Sequence, residues 1–189
     1  MVSMMNPLTV HFFDEAGVKR TTGNRTYGHS RVGERAFEVQ RYTSDVNLTL
    51  NLLHSPLGVS HFNIIHGPSN GMEMLHFFDE ALQVIREDGN PAIRPGDVVI
   101  MDNAGFHHGG IAEPELREML RRRNVRLLFQ PPYCPEFNSC ELCFRHIKHD
   151  LQMNDILAVN HTELALINAV GNITPAFSRE FFRHCGFSM

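Results

Sequence analysis

The sequence predicts an α/β fold in which a mixed β-sheet is flanked by helices and followed by a small helical C-terminal appendage. The chain has 189 residues, of which 42% are hydrophobic, and this is enough to bury the core of one domain. Apolar runs typical of strands follow one another early in the chain, whereas strands and helical patterns alternate in its second half. Residues 156–189 show only helical patterns.

Strand patterns dominate the first 70 residues. Residues 8–13 form an apolar run, which we expect to be a buried strand stopped by the turn residues 14–17. A loop rich in Gly, Thr and Arg follows over 19–34. Three further strands are predicted near 36–42, 48–53 and 59–65.

Helical patterns begin at Asn70, which occupies the position of an N-cap. The predicted inward face of this helix carries Leu75, Phe78, Leu82 and Ile85. The turn residues 88–91 end the pattern, and an apolar strand over 97–101 then leads directly to Asp102.

The second half continues with a helix opened by Pro114 and a strand over 125–129. Prolines within 130–135 require an extended link, because proline restricts its own backbone and that of the preceding residue. Asn138 can cap the next helix, whose predicted inward stripe is Cys140, Phe144, Ile147 and Leu151. Two further helices are predicted over 164–170 and 175–184.

Three carboxylates stand where such a sheet collects ligands. Asp14 and Asp102 each follow an apolar strand, and Glu141 lies in the first turn of the helix after Asn138. Because ligands bind beyond the carboxyl ends of strands, the three side chains could converge at one edge of the sheet. Carboxylate oxygens suit Mg²⁺ or Mn²⁺, and a pair of these ions about 3.5–4 Å apart serves phosphodiester cleavage.

Each acid also has a purely structural explanation. Asp14 and Asp102 fit turns after their strands, since Asp is a common turn residue. Glu141, three residues after Asn138, fits a capping box. The residues alone therefore leave a metal site and a structural role both open.

Three segments resemble the catalytic blocks of mariner-type DDE transposases of the Tc/mariner superfamily. They are FFDEAG at 12–17, VVIMDNAGFH at 98–107 and PPYCPEFNSCE at 131–141, and they occur in the order seen in that family. The resemblance extends from about residue 8 to residue 155. Its most specific part is the third block, which continues through Phe144, Ile147 and Lys148.

The resemblance implies a ribonuclease-H-like catalytic domain over 1–155 and a helical C-terminal extension over 156–189. It implies that Asp14, Asp102 and Glu141 are the catalytic, metal-binding triad, with two Mg²⁺ or Mn²⁺ ions and no small-molecule cofactor. Family members cut transposon ends by hydrolysis and join the freed 3′-hydroxyl to target DNA. Transposon ends and target DNA are therefore the expected partners, and a homodimer is the expected assembly.

The resemblance also points to DNA contacts. His107 matches a family histidine that contacts the substrate or orders the site, and Lys148 matches a lysine suited to bind phosphate. Further expected contacts are Arg145 and the basic residues Lys19, Arg20 and Arg25. A second basic cluster fits a solvated helix C-terminus equally well, and it comprises Arg117, Arg121, Arg122, Arg123 and Arg126.

Departures from the family pattern leave a second hypothesis open. Ser139 and Cys140 stand where the family usually has Pro-Ile, and Phe144 replaces a Trp. Only 13 residues precede Asp14, so we expect the family's N-terminal helix-turn-helix module to be absent, and the net charge of −4 agrees with weak DNA binding by the chain alone. The alternative is a catalytically weak or inert transposon-derived remnant that binds DNA or protein.

Composition excludes several other classes. No run approaches the apolar length of a membrane span and the N-terminus lacks a secretory signal, so we expect an intracellular protein without membrane partners, nuclear in a eukaryote. Four cysteines are too few and too clustered for a disulfide framework. A zinc site is a weaker interpretation because a helix would turn its central cysteines toward the core, and its ligands would be Cys134, Cys140, Cys143 and His146.

Overall fold

A mixed β-sheet lies at the centre of the computed structural model, which describes residues 5–19, 29–37, 47–102, 111–131 and 134–189. In chain order, its strands are β1 (Val10–Val18), β2 (Leu48–Ser55), β3 (Gly58–His66), β4 (Val98–Met101) and β5 (Arg126–Phe129). The helices are α1 (Gly71–Ala81), α2 (Ala112–Arg122), α3 (Ser139–Met153), α4 (Asp155–Asn160), α5 (Thr162–Gly171) and α6 (Pro175–His184). Within these ranges, no helix combines the length and the apolar composition needed to cross a bilayer.

The strands follow the order β3-β2-β1-β4-β5 across the sheet. The first three strands of the chain form an antiparallel meander, whereas β4 pairs in parallel with both β1 and β5. Parallel neighbours need a crossover connection, and α2 supplies the one between β4 and β5. The predicted mixed sheet flanked by helices is confirmed.

The two faces of the sheet are covered by different helices because side chains alternate along each strand. Phe12 of β1 packs into a core cluster formed with α3, α5 and α6, and its ring lies 5.6 Å from that of Phe182. Phe13 points to the opposite face, where α1 and α2 cover the sheet, and its ring lies 4.9 Å from that of Phe77. Adjacent residues of one strand thus anchor two separate helical layers.

The C-terminal helices pack on the sheet through a shared core. The two predicted helices over 164–170 and 175–184 correspond to α5 and α6, and the short α4 precedes them. Buried residues from this part of the chain belong to the same cluster as Phe12, and they are Ala158, Ala165, Leu166, Ala169, Val170, Ile173, Phe182, Cys185 and Phe187. The appendage therefore completes the core on the α3 face of the sheet.

Two strand predictions differ from the structure. β1 does not stop at residue 13 but continues to Val18, because residues 14–18 pair antiparallel with 48–52 of β2. The turn-forming character of residues 14–17 is therefore overridden by strand pairing. In the strand predicted at 36–42, Ala36 and Phe37 lie outside any strand, and 38–42 fall outside the described residues.

The first helix begins as predicted but ends early. The Asn70 side chain accepts hydrogen bonds from the backbone N–H groups of Met72 and Glu73, as an N-cap does. The helix ends at Ala81, and Ile85 lies beyond it, where it forms an isolated antiparallel bridge with Pro91 and is 60% exposed. The observed inward face keeps Phe78 of the predicted stripe and otherwise consists of Met74, Phe77 and Ala81.

Candidate active site

Two aspartates lie side by side where the parallel pairing of β1 and β4 ends. The last aligned pair of these strands is Phe13 and Met101, and Asp14 and Asp102 are the next residues of their segments. Asp102 follows its strand as predicted. The prediction that Asp14 follows a strand is wrong, because β2 keeps this residue within β1. Asp14 nevertheless marks the point where β1 loses its parallel neighbour.

Both aspartates belong to the sheet face that α3 covers. Strand alternation puts Asp14 on the same face as Phe12, and Asp102 continues the alternation from Ile100. Phe12 and Ile100 lie in the core cluster that contains the buried face of α3. The two carboxylates therefore face the helix that carries Glu141.

The start of α3 is fixed to the sheet by hydrogen bonds. The Cys140 thiol donates to the Phe12 carbonyl oxygen over 3.2 Å, and the Asn138 side chain accepts from the Cys140 backbone N–H over 3.0 Å. Asn138 is therefore the N-cap that the sequence predicts. These contacts bring the first turn of α3 next to β1, with Glu141 exposed on that turn.

The Asp14 carboxylate is hydrogen-bonded through both oxygens. Oδ1 accepts from the Glu15 backbone N–H over 2.7 Å, and Oδ2 accepts from Asn138 Nδ2 over 2.8 Å. Burial raises the pKa of Asp14 to about 7; the Glu15 hydrogen bond opposes this shift, and the negative charges of Asp102 and Glu141 add to it. Asp102 and Glu141 therefore both lie within electrostatic range of Asp14.

The donors of this cluster suit a hard divalent cation. Asp14, Asp102 and Glu141 supply carboxylate oxygens, and a cation would offset the burial and the repulsion that raise the pKa of Asp14. As they stand, no three His, Cys, Asp or Glu side chains in the described ranges lie close enough together to hold a metal ion. The acids fit a cation by charge and donor type, and binding one would require them to move closer together.

The comparison with protein families decides the classification. The sequence model described as DDE superfamily endonuclease matches residues 9–161. The chain belongs to this family. The DDE resemblance noted in the sequence is thereby confirmed, and the match contains all three acids. A comparison with curated proteins finds no match.

Solved structures of the Mos1 transposase share the fold of this DDE family member. The Mos1 mariner paired end complex with Mn aligns with a TM-score of 0.66 at 17% identity, over 94% of this chain and 52% of that chain. The Mos1 Strand Transfer Complex aligns with a TM-score of 0.56 at 14% identity, over 95% of this chain and 55% of that chain. The Mos1 catalytic domain with Raltegravir and Mg aligns with a TM-score of 0.60 at 15% identity, over 95% of this chain and 79% of that chain. The ribonuclease-H-like fold is confirmed, and the chain spans about half the length of the transposase chains in the two complexes.

Three of the six predicted DNA contacts of this DDE family member can be located. Arg145 and Lys148 are exposed on α3, one and two turns beyond Glu141, and Lys19 is exposed directly after β1. Residues four and seven positions apart share one face of a helix, so the two α3 cations extend from Glu141 along one surface. The other three predicted contacts lie outside the described residues, and they are Arg20, Arg25 and His107.

Much of the second basic cluster is paired within α2. Arg117 donates to Glu113 over 2.8 Å, and Arg121 and Arg122 both donate to Glu118, over 2.7 and 2.9 Å. These bonds lower the pKa of Glu118 to about 2. The structure thus favours the helix-stabilising interpretation for three of the five arginines.

The thiols of α3 belong to the core. Cys140 and Cys143 are fully buried, and burial raises the pKa of both well above the usual value for a thiol. His146 instead packs against Phe177, with 5.0 Å between ring centroids and the rings tilted by 45°. This arrangement argues against the zinc interpretation.

Sequence reasoning missed the second contact of Asn138. It assigned this residue to helix capping, whereas the structure shows that its amide also donates to Asp14, 124 positions earlier in the chain. The available signal was its location in the third resembling block, three residues before Glu141. Spacing alone could not reveal the contact because it depends on how α3 docks on β1.

Asp14 makes the stability of the metal-free protein depend on pH. Its pKa rises from an ordinary 3.8 to about 7 on folding, so the native state holds this proton more tightly than the unfolded state does. The contribution of this proton to the free energy of unfolding is complete below about pH 4 and is lost as the pH rises through about 7. We therefore expect Asp14→Asn to gain about 2–4 kcal/mol relative to the wild type between about pH 4 and pH 8.

Urea unfolding of both proteins with a chelator, repeated across this pH range, measures the difference. The comparison isolates Asp14, because groups such as His54, whose pKa burial lowers to about 3, titrate equally in both proteins. Parallel profiles for the two proteins would contradict the pKa shift.

Proposed function

We propose that this chain is the catalytic domain of a transposase-type DNA endonuclease and strand transferase, with Asp14, Asp102 and Glu141 as its metal-binding triad. The observation that carries the proposal is the placement of the acids on three adjoining segments, two at the end of the parallel pairing of β1 and β4 and one in the first turn of α3, which is hydrogen-bonded to β1. Membership of an endonuclease family supports the same chemistry. Because the chain spans about half of the longer Mos1 chains, the activity of a whole transposase is also part of the proposal.

The triad would hold two Mg²⁺ or Mn²⁺ ions. Carboxylate donors and the crowding of negative charge at Asp14 support this, as do Mos1 structures solved with Mn and with Mg. When bound, such a pair of ions activates the attacking water or 3′-hydroxyl and stabilises the leaving oxygen.

The chain's own residues supply position and charge. Asn138 and the Glu15 N–H each hold one oxygen of Asp14, so its carboxylate is oriented before any ligand arrives. Glu141 is exposed and can turn toward a ligand without disturbing the core. The N-terminus of α3 carries the partial positive charge of a helix start, which favours a nearby phosphate.

The substrate would be DNA, with transposon ends cut first and target DNA joined afterwards. The neighbouring Mos1 structures are a paired end complex and a strand transfer complex, which supports both steps for this chain. A homodimer is consistent with the paired end complex. In a eukaryotic cell the reaction would occur in the nucleus, where the DNA lies.

A plasmid-nicking assay tests this function. We expect the purified chain to nick supercoiled DNA in the presence of Mg²⁺ or Mn²⁺ and to stop when EDTA is added in excess. Nicking that continues in EDTA would contradict metal catalysis. Failure to cut any DNA, including ends of related transposons, would favour the second hypothesis of an inert remnant that binds DNA or protein.

Replacing Arg145 and Lys148 together by Ala tests the DNA surface beside the triad. Both side chains are exposed, so we expect the fold to be unchanged. If each contacts a phosphate, DNA affinity falls about tenfold or more near 0.1 M salt, and the slope of log affinity against log salt concentration decreases by about 2. Fluorescence anisotropy at several salt concentrations measures both quantities.

The matched control removes two charges from α2. Arg121 and Arg122 already pair with Glu118, so replacing both by Ala should weaken DNA binding less and leave the salt slope nearly unchanged. Equal losses in the two double variants would show that net charge alone matters and would contradict a specific surface on α3.

A further inference from the structure

We propose that Asn138 is a positioning residue that ties the Asp14 carboxylate to the start of α3 and thereby fixes one metal ligand relative to another. The link between Asn138 and Asp14 is a feature of the fold, whereas its value for catalysis rests on the proposed function. Asn138 itself would touch neither the metal nor the DNA.

Asn138 uses both ends of its amide. Oδ1 accepts from the Cys140 backbone N–H over 3.0 Å, and Nδ2 donates to Asp14 Oδ2 over 2.8 Å. The partners determine the orientation of the amide, because a backbone N–H needs an acceptor and a carboxylate needs a donor. The residue is only 3% exposed, so water competes little for either contact.

Capping alone does not require this residue type. Ser and Asp cap helices about as well as Asn, but Ser has no amide N–H group and Asp would add a negative charge beside Asp14. Asn70 illustrates capping without the second role, since its Oδ1 accepts from two backbone N–H groups at the exposed start of α1. Asn carries its acceptor and its neutral donor on two separate atoms, so it can cap α3 and hold the carboxylate at the same time, whereas Ser would have to serve both partners through one short hydroxyl.

The consequence concerns the direction of the Asp14 carboxylate. One oxygen is held by Asn138 and the other by the Glu15 N–H, so the side chain cannot rotate without losing a hydrogen bond. Each carboxylate oxygen has two lone pairs, and each therefore retains one for a further ligand. Because Asn138 also begins the helix that carries Glu141, a single amide sets the relation between these two acids.

The first test measures the link without any metal. The variants Asn138→Ser and Asn70→Ser make the same change at two helix caps, and both are compared in the wild-type and Asp14→Ala backgrounds by thermal unfolding in EDTA. We expect Asn138→Ser to lower Tm by about 2–4 °C more in the wild-type background, and Asn70→Ser to lower it equally in both. Equal shifts for Asn138→Ser in the two backgrounds would overturn the proposal.

The second test separates positioning from stability. Mn²⁺ is titrated calorimetrically into each variant of the 189-residue chain in the absence of DNA. We expect Asn138→Ser to weaken Mn²⁺ binding about tenfold, because losing a hydrogen bond that orients a metal-ligating side chain lowers metal affinity. We expect Asn70→Ser to leave Mn²⁺ binding unchanged. Unchanged Mn²⁺ affinity in Asn138→Ser would overturn the positioning role.

The two tests distinguish this proposal from the proposed function. A wild-type chain that binds no Mn²⁺ would contradict the proposed function, and it would also overturn the metal-positioning part of this proposal. The unfolding comparison would still decide whether Asn138 holds Asp14 in place. If Asn138→Ser lowered Tm more in the wild-type background than in the Asp14→Ala background, that result would support only the hydrogen bond between Asn138 and Asp14.

Discussion

Replacing Asp102 by Asn is expected to reduce metal-dependent DNA nicking by about a thousandfold or more. Asn preserves the size of the side chain but removes a negative charge next to Asp14 at the end of the β1 and β4 pairing. Cations at such sites stabilise the transition state by several kcal/mol, and each loss of about 1.4 kcal/mol lowers the rate tenfold. Initial nicking rates at several Mn²⁺ concentrations measure the effect.

Measuring the stability of Asp102→Asn shows whether a loss of nicking comes from unfolding. The charge of Asp102 contributes to the raised pKa of Asp14, so its removal relieves repulsion and should leave Tm equal or higher in the metal-free protein. Asp88→Asn is the matched control, because this exposed residue precedes β4 whereas Asp102 follows it. Equal nicking by the wild type and both variants would refute the assigned triad.

The largest effect on stability is expected from Phe182→Ala in α6. This side chain is fully buried, and its ring lies 5.6 Å from that of Phe12 and 5.1 Å from that of Phe187. Truncating a buried Phe costs about 3–5 kcal/mol. This is a large share of the free energy of unfolding of a typical protein, which is about 5–15 kcal/mol. Urea unfolding measures the loss, and we expect one cooperative transition that shifts as a whole.

Phe177→Ala provides the control within the same helix. Phe177 is 40% exposed and contacts His146, so its truncation should cost only about 1 kcal/mol. If the two variants were equally stable, or if Phe182→Ala produced a separate transition for the C-terminal helices, the shared core would not govern stability.

Elements with strong local signals could be predicted from the sequence, and those decided by distant partners could not. The strand before Asp102 and the helix after Asn138 carry clear apolar periods with turn or cap residues, and β4 and α3 form there. The turn-like residues 14–17 nevertheless remain in a strand, since β2 pairs with them. Similarly, Ile85 leaves the predicted helix because it bridges to Pro91.

The candidate site shows the same division. The three acids were predicted from strand ends, a helix start and the resemblance of three blocks, which are all local patterns. The contact between Asn138 and Asp14 spans 124 positions and depends on the docking of α3 against the sheet. The electrostatic shift at Asp14 likewise depends on its burial and on distant charges. Neither can be inferred from neighbouring residues.

The order of strands has a consequence for synthesis of the protein. β1 emerges from the ribosome long before its neighbour β4 and the helix α3, which follow much later in the chain. A nascent polypeptide that ends before α3 contains two of the acids and lacks Glu141 together with the Asn138 amide. The long separation also slows assembly, because distant segments must meet before they gain contacts. The three acids can therefore come together only after α3 has been translated.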